Sequence, residues 1–384
     1  MKWDKLLSWG FLLFFLVFLG LSIFAISTPL WIPEKITPRI DNFDGSINQL
    51  GDAIGGITSP FITLIMALLA FLAFWMQFQT LRDQRKELSR QHFEDRLSLM
   101  LSQQRENANS LKAGTVVGRS AIEELAGEFY YVLTLVTSIF KEKMAEEIKS
   151  DSNLDEPKRA KLTLYYEEIK NDGQKAMAFL MKAAYGVFFQ GKNYTPNATE
   201  KEECLWLTRL IESKLDYSTY KLNTNAHYTD LLFDGAKDFP AETEVPYAPF
   251  QGHNAEMGCY YRHLYQIVRF IACYSDEEMT EEEKYGYTKL VRSHLSDYEQ
   301  FMLYYNSLSN FGNTWDKPLY ENDKYKPRNM GLIARFRLVK NLPSNICWRG
   351  LCPIDRYKRE IDEWKKLNCD FFETSQFLTI DLLA

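Results

Sequence analysis

Long blocks of Lys and Arg are missing from this chain of 384 residues: 45 basic against 51 acidic side chains leave a formal charge of −6. Bulk binding of nucleic acid by electrostatics is therefore not expected, which leaves room only for a local RNA site. Period-two alternation of apolar and polar residues, the mark of half-buried strands, is nowhere sustained. Cysteine is sparse. Of six, only Cys347 and Cys352 lie close together, and no second Cys/His pair completes a zinc site. The stretch Gly186 to Asn193 has the spacing of a phosphate-binding loop, but Asn193 stands where Ser or Thr would hold magnesium, and a helical pattern precedes it instead of a strand. No metal site and no cofactor motif is complete, so none is expected.

What the chain does have is two long uncharged runs near its start. Leu6 to Ser27 would extend roughly 33 Å as a helix at about 1.5 Å per residue, enough for a hydrocarbon core of about 30 Å. Pro60 to Gln79 is a second run of spanning length, with Ser59 as its expected N-cap and Pro60 in the first turn, where no amide donor is needed. The pair predicts a transmembrane hairpin over 1–80 with an outer loop over 29–59. Lys2 and Lys5 precede the first run and Arg82, Arg85, Lys86 and Arg90 follow the second, so both termini are expected in the cytoplasm, as in a multi-pass protein of a bacterial inner membrane. A cleaved signal peptide is the competing reading of the first run. Signal h-regions are usually about 7 to 15 residues long, which argues against it.

Behind the runs the pattern is helical. Residues 81–114 read as a stem, with a broken heptad seam through Leu81, Leu88, His92 and Leu99, and Gly114 as its stop. A second stripe, Phe93, Leu97, Met100, Leu101, Ala108 and Leu111, is expected to bury the later half of the stem. Residues 115–384 read as an α-helical cytoplasmic domain. Ser120-Ala-Ile-Glu123 has the form of a capping box ahead of a helix over about 120–148. Further helices are expected over Lys161–Phe189, Glu200–Leu215, Asn254–Tyr274, Lys284–Ser309, Met330–Leu342 and Asp355–Leu367, with a Pro- and aromatic-rich loop over Leu222–Gln251. The fold class is all-α.

The richest polar cluster is His253, Asn254, Arg262, His263 and Arg269, with Asn306 expected to cap or bridge the helices beyond. A histidine poised near neutral pH beside an arginine that holds phosphate could cleave RNA. Adjacent helical residues point about 100° apart, however, so Arg262 and His263 do not share a face. The plainer expectation pairs both arginines with carboxylates of the acidic 276–283 segment, buries His263 in a hydrogen bond and makes His294 a satisfied core residue.

The runs QHFEDRLSLMLSQQRENANSLKAG, GRSAIEEL, GHNAEMGCYYRHLYQIVRFI and KLVRSHLSDYEQFMLYYNSLSNFG resemble the phage abortive infection (AbiC-like) membrane proteins of bacteria. The resemblance covers roughly residues 60–345 and is thinnest over 140–245. It implies an all-helical cytoplasmic domain behind one or two spans, and a role in stopping phage propagation. The partners then expected are the lipid bilayer, a phage-encoded protein or other infection product, and another copy of the chain through the stem. A membrane-tethered ribonuclease and a non-enzymatic scaffold or receptor are the alternatives.

Overall fold

One helix, α1, runs from Ile47 to Ser110, through three glycines and Pro60 near its start and then through the apolar run and the long-chain polar residues behind it. In this computed structural model the described residues are 47–191, 194, 201–215, 250–320, 326–342 and 351–372, with Leu16, Leu19, Gly20, Ser22, Ile23 and Ser27. Most of the expected first span, residues 29–46 of the expected outer loop, residues 222–249, Lys192, Asn193 and Cys347 lie outside them. The chain divides into two compact units, Met1–Phe93 and Glu94–Ala384.

In the first unit, Ser59 and Pro60 do not start a helix as expected; they lie within α1. A proline in a helix interior crowds the carbonyl four residues back, here that of Gly56. The hydroxyl of Thr63 donates to the Ser59 carbonyl at 2.9 Å, one turn back along the helix. Ile62, Leu64, Met66, Leu69, Phe71, Phe74, Met76 and Phe78 are all exposed. Among the described residues one helix, which contains this stretch, is long and apolar enough to cross a membrane, and none of its apolar window is buried. The seam residues Leu81 and Leu88 are exposed too.

The second unit takes up α1 from Glu94. Leu97, Ala108 and Leu111 are buried there, whereas Met100 and Leu101 are only half-buried and Leu99 is exposed. The helix ends at Ser110, four residues before the expected stop. Gly114 instead turns a two-stranded antiparallel hairpin, Lys112–Ala113 (β1) against Val116–Val117 (β2), with the positive φ of 58° that glycine tolerates. Helix α2, Arg119–Ser138, starts behind Gly118, so Ser120 and Glu123 lie inside it and form no capping box. A π turn, Ile139–Lys143, joins it to α3, Met144–Ser150. The wider turn leaves the Phe140 carbonyl to accept from the Tyr166 hydroxyl at 3.1 Å.

The expected helix over 161–189 is two: α4, Glu156–Asn171, and α5, Gly173–Gln190. Asp172 separates them, its carboxylate accepting from the amides of Gln174 and Lys175 at 3.1 Å each. Next come α6, Glu202–Lys214, and α7, Asn254–Ala272. The expected helix over 284–309 is likewise split into α8, Glu281–Ser293, and α9, Asp297–Leu308, because Ser296 and Glu299 cap the second reciprocally. Of the stretch 330–342 only α10, Leu332–Phe336, is helical. Arg337 ends it at φ 51°, its guanidinium held between the rings of Tyr285 at 4.1 Å and Trp364 at 4.4 Å. The short helices α11, Pro353–Arg356, and α12, Lys358–Lys366, follow.

An aromatic cluster forms the centre of the second unit. The Phe129 ring of α2 meets Tyr185 and Phe188 of α5 at 5.5 and 5.7 Å, and Phe301 and Tyr305 of α9 at 6.3 and 5.2 Å. Three helices thus converge on one side chain, with edge contacts that suit the ring quadrupole.

Candidate functional site

The start of α7 is stitched to α2 and α5. Gly252, at φ 85°, lets the chain approach α5 so closely that a Cβ there would lie 2.6 Å from the Gln190 carbonyl carbon. His253 then donates its amide to the Phe189 carbonyl at 2.9 Å. Its Nε2 lies 2.8 Å from Oε2 of Glu128, and Oε1 of the same carboxylate accepts the Phe250 amide at 2.9 Å. Glu128 is fully buried on α2, and the imidazole lies against the Phe188 ring, tilted 40° to it, with the centroids 4.9 Å apart. A carboxylate placed this deep requires such partners. His253 is accordingly a buried clasp residue and does not face solvent as a phosphate-binding base would.

Asn254 and Arg262 do come together. They are exposed on one face of α7, flanking Gly258, whose absent Cβ would sit 2.9 Å from Asn254 Oδ1 and 3.4 Å from Arg262 Nη1. Arg269 is exposed as well, and neither arginine pairs with a described carboxylate. That corrects the expectation that they neutralise the acidic 276–283 segment. Two of its acids, Asp276 and Glu281, are met instead by Lys284, Arg328 and Arg335. Lys284, only 1% exposed, donates to Asp276 Oδ1 at 2.6 Å and to the Tyr274 carbonyl at 2.6 Å. Glu281 Oε1 accepts from Arg328 at 2.7 Å and Arg335 at 2.8 Å, and Arg328 also reaches Asp276 at 2.7 Å. Burial pushes the Asp276 carboxyl up, but the hydrogen bonds and charges of Lys284 and Arg328 outweigh it and hold the group below the usual carboxylate range.

His263 is half-buried and turned toward α1: its Nδ1 lies 2.8 Å from Gln104 Oε1, and burial pushes its pKa down. Next to it, Tyr260 donates to Glu299 Oε1 at 2.8 Å, while Glu299 Oε2 accepts the Ser296 amide at 2.6 Å. His294 is half-buried at the end of α8 and is no core residue. Its carbonyl accepts from Arg119 at 2.6 Å. Asn306 is buried and donates to the Tyr185 hydroxyl at 2.9 Å, so it joins α9 to α5 and does not bridge the helices around the acidic segment. The six candidate residues thus point to α2, to solvent, to α1 and to α5. The partners that sequence reasoning missed, Glu128 and Gln104, are 125 and 159 positions away and carry no local signal. Glu299 was legible in the Ser296-x-x-Glu299 pattern. Among the described residues, no three His, Cys, Asp or Glu side chains converge as metal ligands.

Residues 252–346 match a family model described as "putative phage abortive infection protein". The match is narrower than the resemblance read from the sequence and leaves out the run from Gln91 to Gly114. It takes in α7 to α10, the ion cluster and all six candidate residues. No curated protein and no solved structure matches the chain. The match over residues 252–346 supports the resemblance of this chain to the phage abortive infection (AbiC-like) family.

Proposed function

We propose that this chain is a membrane-anchored anti-phage protein of bacteria: a hairpin of Leu6–Ser27 and the apolar part of α1 holds it in the inner membrane, and the helical part behind it faces the cytoplasm, senses a phage product and acts at the bilayer. One observation carries the reading. Large apolar side chains between Ile62 and Phe78 are exposed on a helix of spanning length, in a chain that also bears the segment matching the abortive infection family model. At about 1.5–3 kcal/mol for each large apolar side chain removed from water, transfer to lipid is favoured by on the order of 10–20 kcal/mol. The cations flanking the two runs set both termini inside. Partners on this reading are the lipid, an infection product and further copies of the chain; nucleic acid is not required.

The test is infection of cells carrying the protein while membrane potential and dye entry are followed. Leu64→Arg with Leu69→Arg should abolish both membrane retention and protection, whereas Arg262→Ala and His263→Ala should keep depolarisation. The reverse pattern, with cleaved RNA in infected cells, would replace this reading with a tethered ribonuclease. Unchanged plaque counts over a broad phage panel would leave a scaffold.

A further inference from the structure

A small pocket lies within the second unit between the end of α1, the start of α2, α7 and the α8–α9 corner. Leu101, Leu264 and Leu295 contribute apolar wall, and Gln104, Arg105, Arg119, His294 and Glu299 bring polar groups to it. Its free volume, about 10 Å³, is that of a single water-sized atom. Gln104 is 6% exposed, and its Nε2, with the Tyr260 hydroxyl beside it, makes no hydrogen bond of good geometry. Arg105 pairs with no described residue. Both guanidinia act on His294: burial first, and then the charges of Arg105 and Arg119, push that imidazole's pKa down, so it adds no cation of its own near neutral pH.

Donors therefore outnumber acceptors. Gln104 and two arginines line the pocket, while the one carboxylate there, Glu299, already accepts from Tyr260 and Ser296 and has Arg119 Nε at 3.9 Å from its Oε2. The two arginines against one glutamate leave the pocket with a positive charge, and an unmet buried amide costs free energy until an acceptor arrives. A water supplies that acceptor but does not answer the charge. An oxyanion does both, and planar guanidinia suit its several oxygens.

We propose that this pocket binds a phosphoryl group. One oxygen enters the cavity and accepts from Gln104 Nε2, while the others meet Arg105 and Arg119 at the mouth. The Glu299 carboxylate beside it favours a singly bonded, terminal phosphate that can keep a proton over a more highly charged one. This goes beyond the membrane reading and does not rest on it, since every residue concerned belongs to the second unit.

The experiment uses the full chain in detergent, titrated with sodium phosphate, with adenosine monophosphate and with sodium chloride at matched ionic strength, read by calorimetry and by thermal shift. Phosphate should bind and raise Tm where chloride does not. Arg105→Gln, at an exposed position, should weaken binding at least tenfold, and Gln104→Glu, which puts a carboxylate in the cavity, at least a hundredfold. Lys149→Gln, exposed on α3, should leave it unchanged. Binding of inorganic phosphate alone would identify the free ion as ligand, and binding of both would identify a phosphomonoester; either supports the site. Equal shifts with chloride, or parental affinity in Arg105→Gln, would overturn it, the latter even if Gln104→Glu does not fold.

Discussion

Replacing Glu128 by Ala tests the buried clasp between α2 and the start of α7. The fully buried carboxylate accepts two bonds, from the Phe250 amide at 2.9 Å and from the His253 ring at 2.8 Å. Removing it strands both groups in a site closed to water, at about 1–3 kcal/mol for each unmet donor. Breaking a buried pair outright costs about 3–5 kcal/mol, so the two routes agree on roughly 4 kcal/mol. For a unit of this size about 2–4 °C of Tm accompanies each kcal/mol, which gives a drop of roughly 10 °C for Glu128→Ala. Glu128→Gln keeps an oxygen for the Phe250 amide and should lose only about a third as much. Thermal unfolding of the full chain in detergent, followed by tryptophan fluorescence, reads both. A double-mutant cycle with His253→Ala should return a coupling of about 2 kcal/mol. A Glu128→Ala protein melting within 2 °C of the parent, or a coupling near zero, would refute the clasp.

Lys284→Met should cost about 3 kcal/mol, because it removes a cation from beside Asp276 and leaves the Tyr274 carbonyl unmet, whereas Lys149→Gln should fall within about 0.5 kcal/mol of the parent; urea titration separates them. Gly331→Ala should destabilise strongly, since its Cβ would press on the Asp316 backbone and lie 2.6 Å from the Trp315 carbonyl oxygen, while Gly258→Ala displaces only the tips of Asn254 and Arg262 and should be neutral or gain about 0.5–1 kcal/mol from helix propensity. His263 and His294 both have pKa values lowered from 6.5 by burial, so below that pH the unfolded chain takes up protons that the folded one refuses. Tm should therefore fall as pH drops from 7.5 to 5.5, and His263→Gln with His294→Gln should flatten the profile; a flat parental profile would contradict this. Asp276 acts lower: its pKa is depressed below 3.8, so its contribution is present above that value and lost as pH falls through the folded one. Lys284→Met should show less of this acid limb in a Tm series below pH 5.

Helices were legible wherever a long apolar stripe with period 3.6 ran unbroken, as in α2 and α7. Their interruptions were less so, because a single capping residue ends one helix and starts the next without disturbing the stripe. Asp172 and Ser296 do this inside expected helices, whereas Ser120-Ala-Ile-Glu123 carries the capping pattern and caps nothing, since Gly118 has already turned the chain into α2. Proline at 60 suggested a helix start because the first turn is its cheapest position, yet the helix runs through it. All the candidate residues but Asn306 lie on α7 or at its start, but nearness in sequence misassigned their partners. Arg262 and Arg269 lie close to the acidic segment along the chain yet face outward, while Arg335 reaches Glu281 across 54 positions. Contacts of that range depend on how helices cross, which no local pattern encodes.

The most direct check on the account is the sidedness of Cys259 and Cys273, both exposed on the second unit. A membrane-impermeant maleimide should label them in inverted membrane vesicles and leave them untouched in intact spheroplasts. Labelling in spheroplasts, or recovery of the protein in the soluble fraction before any detergent is added, would contradict a helical domain held at the cytoplasmic face.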